Sequence, residues 1–386
     1  MIVVIADDLT GAGEIGGIGL ACGLKTEIQR QFDPETNAEL LIIDTDSRSL
    51  PPLEAGQAMR DIAQRLKKSD LLIEWIYKKT DSVLRGPVAK ELEALRDAMD
   101  MARILLAPAN PSKGRIVRNG NYFIKGKRLN ETDFADDPEY PAATSKVLEL
   151  PALADSDQIR LLTSDQRIDG EGILFGQAET SDDLLRWSSQ IDRQTIPAGA
   201  GEFFEALLKD RGYFKKGAPD EKAFRLKNKT LFVCGSSAQS SRQILSKTEG
   251  LGLRVCRMPD ELFQSADSEN ILLQRWSDQA AEFFENSRAV AIVIDRPIVR
   301  NMRIARQLRL AMGKAAQLIF QKVSLNELFV EGGATASEIV RCFDWNRFEP
   351  CDLFRPGVVR MKVLGTDHIR LTIKPGSYAW PEINLH

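Results

Sequence analysis

Histidine is almost missing from this chain, with only His368 and His386 present. Chemistry that needs several imidazole ligands, or a histidine base, has almost nothing to draw on. Cysteine is equally sparse: Cys22, Cys234, Cys256, Cys342 and Cys351 are odd in number, scattered, and form no close CxxC pair. That pattern argues against a disulfide framework or a structural zinc site and fits a reducing compartment. No apolar run reaches the roughly 18 residues that a membrane-spanning helix needs. The opening Met1-Ile-Val-Val-Ile meets Asp7-Asp8 at once, without the basic start and longer apolar stretch of a signal peptide. An excess of one charge is lacking too. With 52 Lys and Arg against 55 Asp and Glu, the net charge is −3, which argues against nucleic acid or an anionic membrane as a partner. The expectation is a soluble, cytoplasmic protein; a homo-oligomer stays open.

What is present is a chain of 386 residues, 43% hydrophobic and 28% charged, enough for two or three domains with sizeable cores. Ile2 to Ile5, Leu40 to Ile43, Leu71 to Tyr77 and Ile104 to Ala107 read as strands. Their nearly continuous apolar character is what a sheet covered on both faces requires. Leu53 to Leu66 and Val88 to Met99 carry helical spacing between them. That order predicts parallel strands joined by right-handed crossovers. Asn119-Gly and Lys125-Gly mark turns in an excursion over residues 118–141. Residues 211–229, rich in Lys, Asp, Gly and Pro, read as a linker. New strands follow at Thr230–Cys234, Val290–Ile294 and Glu327–Val330. The reading is an α/β fold of two domains, 1–210 and 230–386, each with a mainly parallel sheet flanked by helices.

Such sheets bind ligands beyond the carboxyl ends of their strands. Asp7, Asp8, Ser47, Arg48, Lys79, Asp81, Asn110 and Arg115 all fall there. Adjacent carboxylates such as Asp7 and Asp8 are costly unless something cationic or hydroxylated meets them; the plainer reading is an exposed turn with an N-cap from Asp8 or Thr10. Lys79-Thr-Asp81-Ser82-Val-Leu-Arg85-Gly86 is the densest polar cluster. There Lys79 could neutralise a transferring phosphoryl group, Asp81 could accept the proton of an attacking hydroxyl, and Arg85 could fork onto a carboxylate. The plainer reading is an internal ion network capping the helix that starts at Pro87.

Gly11-x-Gly13-x-x-Gly16 matches the dinucleotide fingerprint, but four residues separate it from the strand and two carboxylates would face a pyrophosphate. A nicotinamide-dependent oxidoreductase is therefore kept only as an alternative. No GxxxxGK[ST] loop occurs. In the second half, Gly235-Ser236-Ser237-Ala-Gln-Ser240-Ser241 and Glu331-Gly332-Gly333-Ala334-Thr335 each follow a strand and open a helix. Small residues there leave backbone N–H groups and the helix dipole available to phosphate. A third glycine turn lies at Lys374-Pro-Gly376.

These segments together resemble the four-carbon acid sugar kinase family: Ile5-Ala-Asp-Asp-Leu-Thr-Gly-Ala, Lys79-Thr-Asp-Ser-Val-Leu-Arg-Gly with Glu91 behind it, Pro108-Ala-Asn-Pro-Ser-Lys-Gly-Arg, Asn130-Glu-Thr-Asp-Phe-Ala-Asp-Asp-Pro, Gly235-Ser-Ser, Gly332-Gly-Ala-Thr and Lys374-Pro-Gly-Ser. The match runs in the same order over essentially the whole chain. The resemblance implies a sugar-acid domain in residues 1–210, an ATP domain in 230–386, and phosphorylation of threonate, erythronate or an oxo-tetronate at its terminal hydroxyl. It places Asp7, Asp8, Ser47, Arg48, Ser82, Arg85, Gly86, Asn110, Gly114 and Arg115 around the acid, with Lys79, Asp81 and Asp8 as catalytic groups. It places Ser236 or Ser241, Gly332, Gly333, Ala334, Thr335 and Gly376 around ATP, with Mg²⁺ carried by ATP rather than by a protein metal site. The chain departs from the family at Ala334, where an acid is usual, and at Pro87, where Asn is usual. Ala334 motivates the other alternative, a catalytically weak protein that senses ATP or a sugar acid.

Overall fold

The β-branched run at the start forms β1 (Ile2–Ala6), which stops where Asp7 and Asp8 begin. The computed structural model describes residues 1–137, 139–154, 156, 159–215, 224–226, 228–235, 252–263, 269–295, 302–376, 378 and 380–384. The chain divides into two units, Met1–Lys216 and Gly217–His386.

In the first unit β1 leads to α1 (Leu9–Ala21), β2 (Thr26–Gln29), β3 (Leu40–Asp44), α2 (Pro52–Lys68), β4 (Trp75–Lys79), α3 (Val88–Ala98) and β5 (Arg103–Ala107). Next come β6 (Arg115–Arg118), β7 (Asn121–Ile124), β8 (Lys127–Arg128), α4 (Pro151–Ala154), β9 (Ile159–Leu162), β10 (Gly172–Gly176), α5 (Ser181–Ser188), β11 (Thr195–Gly199) and α6 (Gly201–Asp210). The main sheet has the order β2-β3-β1-β4-β11-β5-β10-β9, every pair parallel. Strands β1, β3 and β10 are buried throughout, as helices on both faces require. The chain leaves β1 toward β3 and later returns to its other side as β4, so the switch point of this sheet lies at β1. Register places Ala6 level with both Asp44 and Lys79.

Two details depart from expectation. The apolar run Leu71–Tyr77 forms a strand only from Trp75. Trp75 pairs with Ile2, and upstream of Ile2 there is no β1 left to pair with; Leu72 is accordingly 89% exposed. The strand instead continues through Lys78 and Lys79. The second departure is β11, inserted between β4 and β5. Pro197 disguises it, since proline rarely sits in a central strand. Here only Ala198 and Gly199 pair with β4, so Pro197 lies upstream of that ladder.

The expected excursion exists as the antiparallel strands β6, β7 and β8. Asn119 and Gly120, then Lys125 and Gly126, all take positive φ, the signature of a two-residue hairpin turn.

The second unit holds β12 (Phe224–Arg225), β13 (Thr230–Cys234), β14 (Arg254–Arg257), α7 (Glu269–Phe283), β15 (Ala289–Val293), α8 (Met302–Lys322), β16 (Glu327–Glu331), α9 (Gly333–Cys342), β17 (Arg347–Arg355), β18 (Val358–Val363), β19 (Arg370–Lys374) and β20 (Ile383–Asn384). Its sheet order is β14-β15-β13-β16-β19-β18-β17. The run from β14 to β19 is parallel, while β18 is antiparallel to β19 and β17. Phe232, Phe329 and Trp380 stack in its core, Phe329 and Trp380 with ring centroids 5.0 Å apart, and Phe224 meets Phe232 and Phe329 edge-on. Among the described residues no helix is long and apolar enough to cross a membrane.

Candidate active site

At the switch point the two adjacent carboxylates are met by one arginine. Arg48, past β3, donates from Nε to Asp7 Oδ2 at 2.9 Å and from Nη2 to Asp7 Oδ1 at 3.0 Å. Its Nη1 reaches Asp8 Oδ2 at 2.5 Å. Asp8 Oδ1 also accepts the Gly11 N–H at 2.7 Å, capping α1. The plainer reading holds in its N-cap, which coexists with the Arg48 pair, but not in its exposed turn: Asp7 and Asp8 are both buried. Burial pushes the Asp7 carboxyl up, but Arg48, Lys78 and Lys79 hold it below the usual carboxylate range. Asp7, Asp8 and Asp81 in turn hold the Arg48 guanidinium far above its ordinary value despite burial.

Gly11, Gly13 and Gly16 lie inside α1, not in a loop before it. The N-terminal N–H that a pyrophosphate would use is already bonded to Asp8. The absent Gly11 side chain serves close packing instead: a Cβ there would lie 2.8 Å from Asp8 Oδ1 and 3.1 Å from Lys79 Nζ. Asp8 and Lys79 therefore converge over Gly11.

A buried layer supports them. Lys78 Nζ pairs with Glu91 Oε2 at 3.1 Å, both side chains sealed from solvent, and Ser47 Oγ donates to Glu91 Oε1. Burial raises the Glu91 carboxyl in spite of Lys78. Ser47 thus belongs to this inner network and holds the loop that carries Arg48.

Past β4, Asp81 is gripped by Arg85 through Nε at 2.8 Å, Nη2 at 3.0 Å and the Arg85 backbone N–H at 3.1 Å. Burial works against the Asp81 charge, yet Arg85 and Arg48 hold its carboxyl far below the usual range. The internal network expected as the plainer reading is present, and its members face the same end of the sheet as Arg48. Gly86 has φ +93°, and a Cβ there would meet the Arg48 carbonyl at 2.9 Å, so only glycine lets this loop pass Arg48. Pro87 directly precedes α3.

The excursion returns to this end. Arg85 reaches Asp137 at 3.2 Å, Tyr140 donates to the Arg48 carbonyl at 2.6 Å, and Arg115 donates to Ser82 Oγ. Arg85 and Arg115 both lie over the Phe134 ring, at 5.6 and 5.7 Å. Past β5, Asn110 Oδ1 accepts the Glu202 N–H at 3.1 Å. Its Nδ2 and the Thr80 hydroxyl are buried without a hydrogen bond, which is uncommon for such groups. Gly114 closes a 3-10 turn, Pro111–Lys113, in the left-handed region.

The structure therefore gathers Asp7, Asp8, Ser47, Arg48, Lys79, Asp81, Ser82, Arg85, Gly86, Asn110 and Arg115 at one end of the first unit's sheet. Residue pattern alone misses Phe134, Asp137 and Tyr140, although Phe134 and Asp137 lie within the quoted Asn130–Pro138 segment. It also misses Glu14, and it does not single out Lys113 although that residue lies within the Pro108–Arg115 segment. The signal for Glu14 is its position three residues beyond Gly11, on the helix face that meets Lys79.

In the second unit, Ser236 and Ser241 lie outside the described residues. Gly332, with φ +99°, precedes α9 and gives that helix no side-chain cap. Gly333, Ala334 and Thr335 form its first turn, where orphan N–H groups and the dipole favour an anion. Gly376 is close by, since the Gly332 N–H donates to the Lys374 carbonyl at 2.9 Å and Lys374 Nζ lies 3.4 Å from the Gly376 carbonyl. Lys374 Nζ is also paired with Glu331 at 2.7 Å, neither side chain exposed. These residues fit a phosphate-bearing ligand. Among the described residues, no group of three His, Cys, Asp or Glu side chains could hold a metal ion.

Residues 2–190 match the family model of a sugar-binding N-terminal domain. The chain is 24% identical over 372 residues to a D-threonate kinase of Salmonella typhimurium, covering 88% of this chain and 85% of that one. It is 24% identical over 408 residues to a 3-oxo-tetronate kinase of Brucella melitensis, covering 97% and 92%. Its fold is similar to the crystal structure of a Haemophilus influenzae protein, with a TM-score of 0.70 at 19% identity over 98% of this chain and 97% of that one.

Proposed function

The chain belongs to the four-carbon acid sugar kinase family, and from that premise we propose that it transfers the γ-phosphoryl group of ATP to the terminal hydroxyl of a four-carbon sugar acid of the threonate, erythronate or 3-oxo-tetronate type. The observation that carries this reading is the ordered charge at the switch point: two carboxylates neutralised by Arg48, a lysine that converges with Asp8 over Gly11, and two arginines over Phe134.

Each part has a matching task. The N–H groups that Arg115 keeps beyond Ser82, and those that Arg85 keeps beyond Asp81 and Asp137, face the substrate carboxylate. Asp7 and Asp8 have spare lone pairs even with Arg48 bound, and these accept sugar hydroxyls. The hydroxyl oxygen bonds to the γ-phosphorus as the bond to the β–γ bridging oxygen breaks and ADP leaves. Its proton passes to Asp8, which converges with Lys79 over Gly11; Asp81, with both oxygens on Arg85 and its carboxyl held far below the usual range, is a poor acceptor and instead fixes Arg85. Lys79 offsets the charge on the phosphoryl oxygens. The first turn of α9 and the Gly376 turn hold ATP phosphates, and Mg²⁺ arrives with ATP, since positioning and charge neutralisation dominate this chemistry.

A coupled assay of ADP release with Mg-ATP and a panel of tetronic acids tests the reading. ADP release should require a tetronate, and Lys79→Met should lower kcat by roughly 100-fold or more. Turnover indifferent to the acid would contradict it. Exposed Ala334 in the first turn of α9 favours a second reading, a sensor; tight binding of ATP or acid without turnover is its outcome.

A further inference from the structure

Glu14 is only a variable position of the Gly11–Gly16 run, yet it links two strand ends. Its Oε1 accepts from Lys113 Nζ at 2.6 Å, and its Oε2 lies 3.4 Å from Lys79 Nζ. Lys79 is the last residue of β4, while Lys113 comes from the 3-10 turn after β5. Glu14 itself projects from α1. Its side chain is 13% exposed, so burial opposes its charge, but Lys113 and Lys79 hold its carboxyl down to about 2. It is ionised at any working pH. One carboxylate between two ammonium groups leaves the triad with a net positive charge.

The position of that charge is informative. Asp8 Oδ1 and Lys79 Nζ border the same space over Gly11, 2.8 and 3.1 Å from where a Cβ would stand, so a hydroxyl held by Asp8 lies near the triad. The planar guanidinium forks of Arg85 and Arg115 sit together elsewhere, over Phe134. Forks suit a flat carboxylate; compact ammonium groups suit a tetrahedral phosphoryl group.

Resting on the kinase reading, we propose that Glu14 is a positioning residue that holds Lys79 and Lys113 as one receptor for the transferring phosphoryl group. Without its carboxylate, two like charges would separate, and Lys79 would lose its place over Gly11. Lys113 becomes a second phosphoryl-facing cation, and the sugar acid is oriented with its carboxylate toward Phe134.

The experiment is steady-state kinetics on the full chain with Mg-ATP and the tetronate the parent turns over best. Glu14→Gln should cut kcat at least tenfold while moving the KM for the acid less than threefold. Glu14→Asp should restore part of the loss, and Lys113→Met should cut kcat without further loss in the double variant with Glu14→Gln. A structural role alone would lower melting temperature and scale kcat with the folded fraction, without the Asp rescue. Native kcat in Glu14→Gln, or a rise in KM alone, overturns the inference while the kinase reading survives. A parent protein that turns over no tetronate removes both.

Discussion

Replacing Asp44 by Asn should stabilise the protein increasingly as pH rises from 5 to 8. Asp44 ends β3, level with Ala6, and its side chain is sealed from solvent. Its Oδ1 accepts the Asp46 N–H at 3.1 Å. Its Oδ2 faces Arg30 Nε at 3.5 Å, and neither atom has a hydrogen bond, since that separation is too long for a good one. Burial, then Asp46 and Asp8, outweigh Arg30 and push the Asp44 carboxyl from 3.8 up to about 8. Across that window the folded chain keeps a proton that the unfolded chain has released, so stability falls as pH rises. Each pH unit is worth up to about 1.4 kcal/mol, giving an upper bound of about 4 kcal/mol between pH 5 and 8. Asn keeps the oxygen that accepts from Asp46 and removes the titration. Urea midpoints for both proteins at pH 5, 6, 7 and 8 give the measurement. The difference should grow in favour of Asp44→Asn at each step and level off above pH 8. A constant difference, or one that turns against Asp44→Asn with rising pH, would show that Asp44 is an ordinary ionised partner of Arg30.

Arg48→Ala strands two buried carboxylates, so it should cost on the order of 3–5 kcal/mol and abolish protection of the first unit by a tetronate, read by thermal melting with and without the acid. Arg48→Lys should recover little, because an ammonium cannot fork across Asp7 and Asp8 together. In the second unit, Glu331→Gln leaves Lys374 buried without its charge partner and should cost a similar 3–5 kcal/mol. The same variant should weaken ATP binding, measured by calorimetry, because Lys374 ties the Gly332 and Gly376 turns together.

Much of this was legible in the residue pattern because parallel strands buried on both faces read as plain apolar runs. Ile2–Ala6, Leu40–Asp44 and Thr230–Cys234 show it directly. Polar residues placed right after such runs are at the ligand-binding end by topology, which is why Asp7, Asp8, Arg48 and Lys79 could be found. Other features depend on distance in sequence. β11 is hidden by Pro197 and by a pairing partner more than a hundred residues away. Glu14 shares no motif with Lys113, and only the packing of α1 over β4 brings them together. The partners of a buried charge are equally invisible: Asp81 reads the same whether a substrate or Arg85 occupies it. Ser47, read as a substrate contact, is turned to Glu91 by the buried Lys78, a residue that the strand pattern gives no reason to see as inward.

Phosphorus NMR of the full chain with Mg-ATP and D-threonate, D-erythronate or a 3-oxo-tetronate addresses the phosphoryl transfer itself. The γ-phosphorus signal of ATP should be replaced by a phosphomonoester signal coupled to the terminal methylene of one of these acids. An unchanged ATP spectrum with every acid, or inorganic phosphate as the sole product, would contradict it.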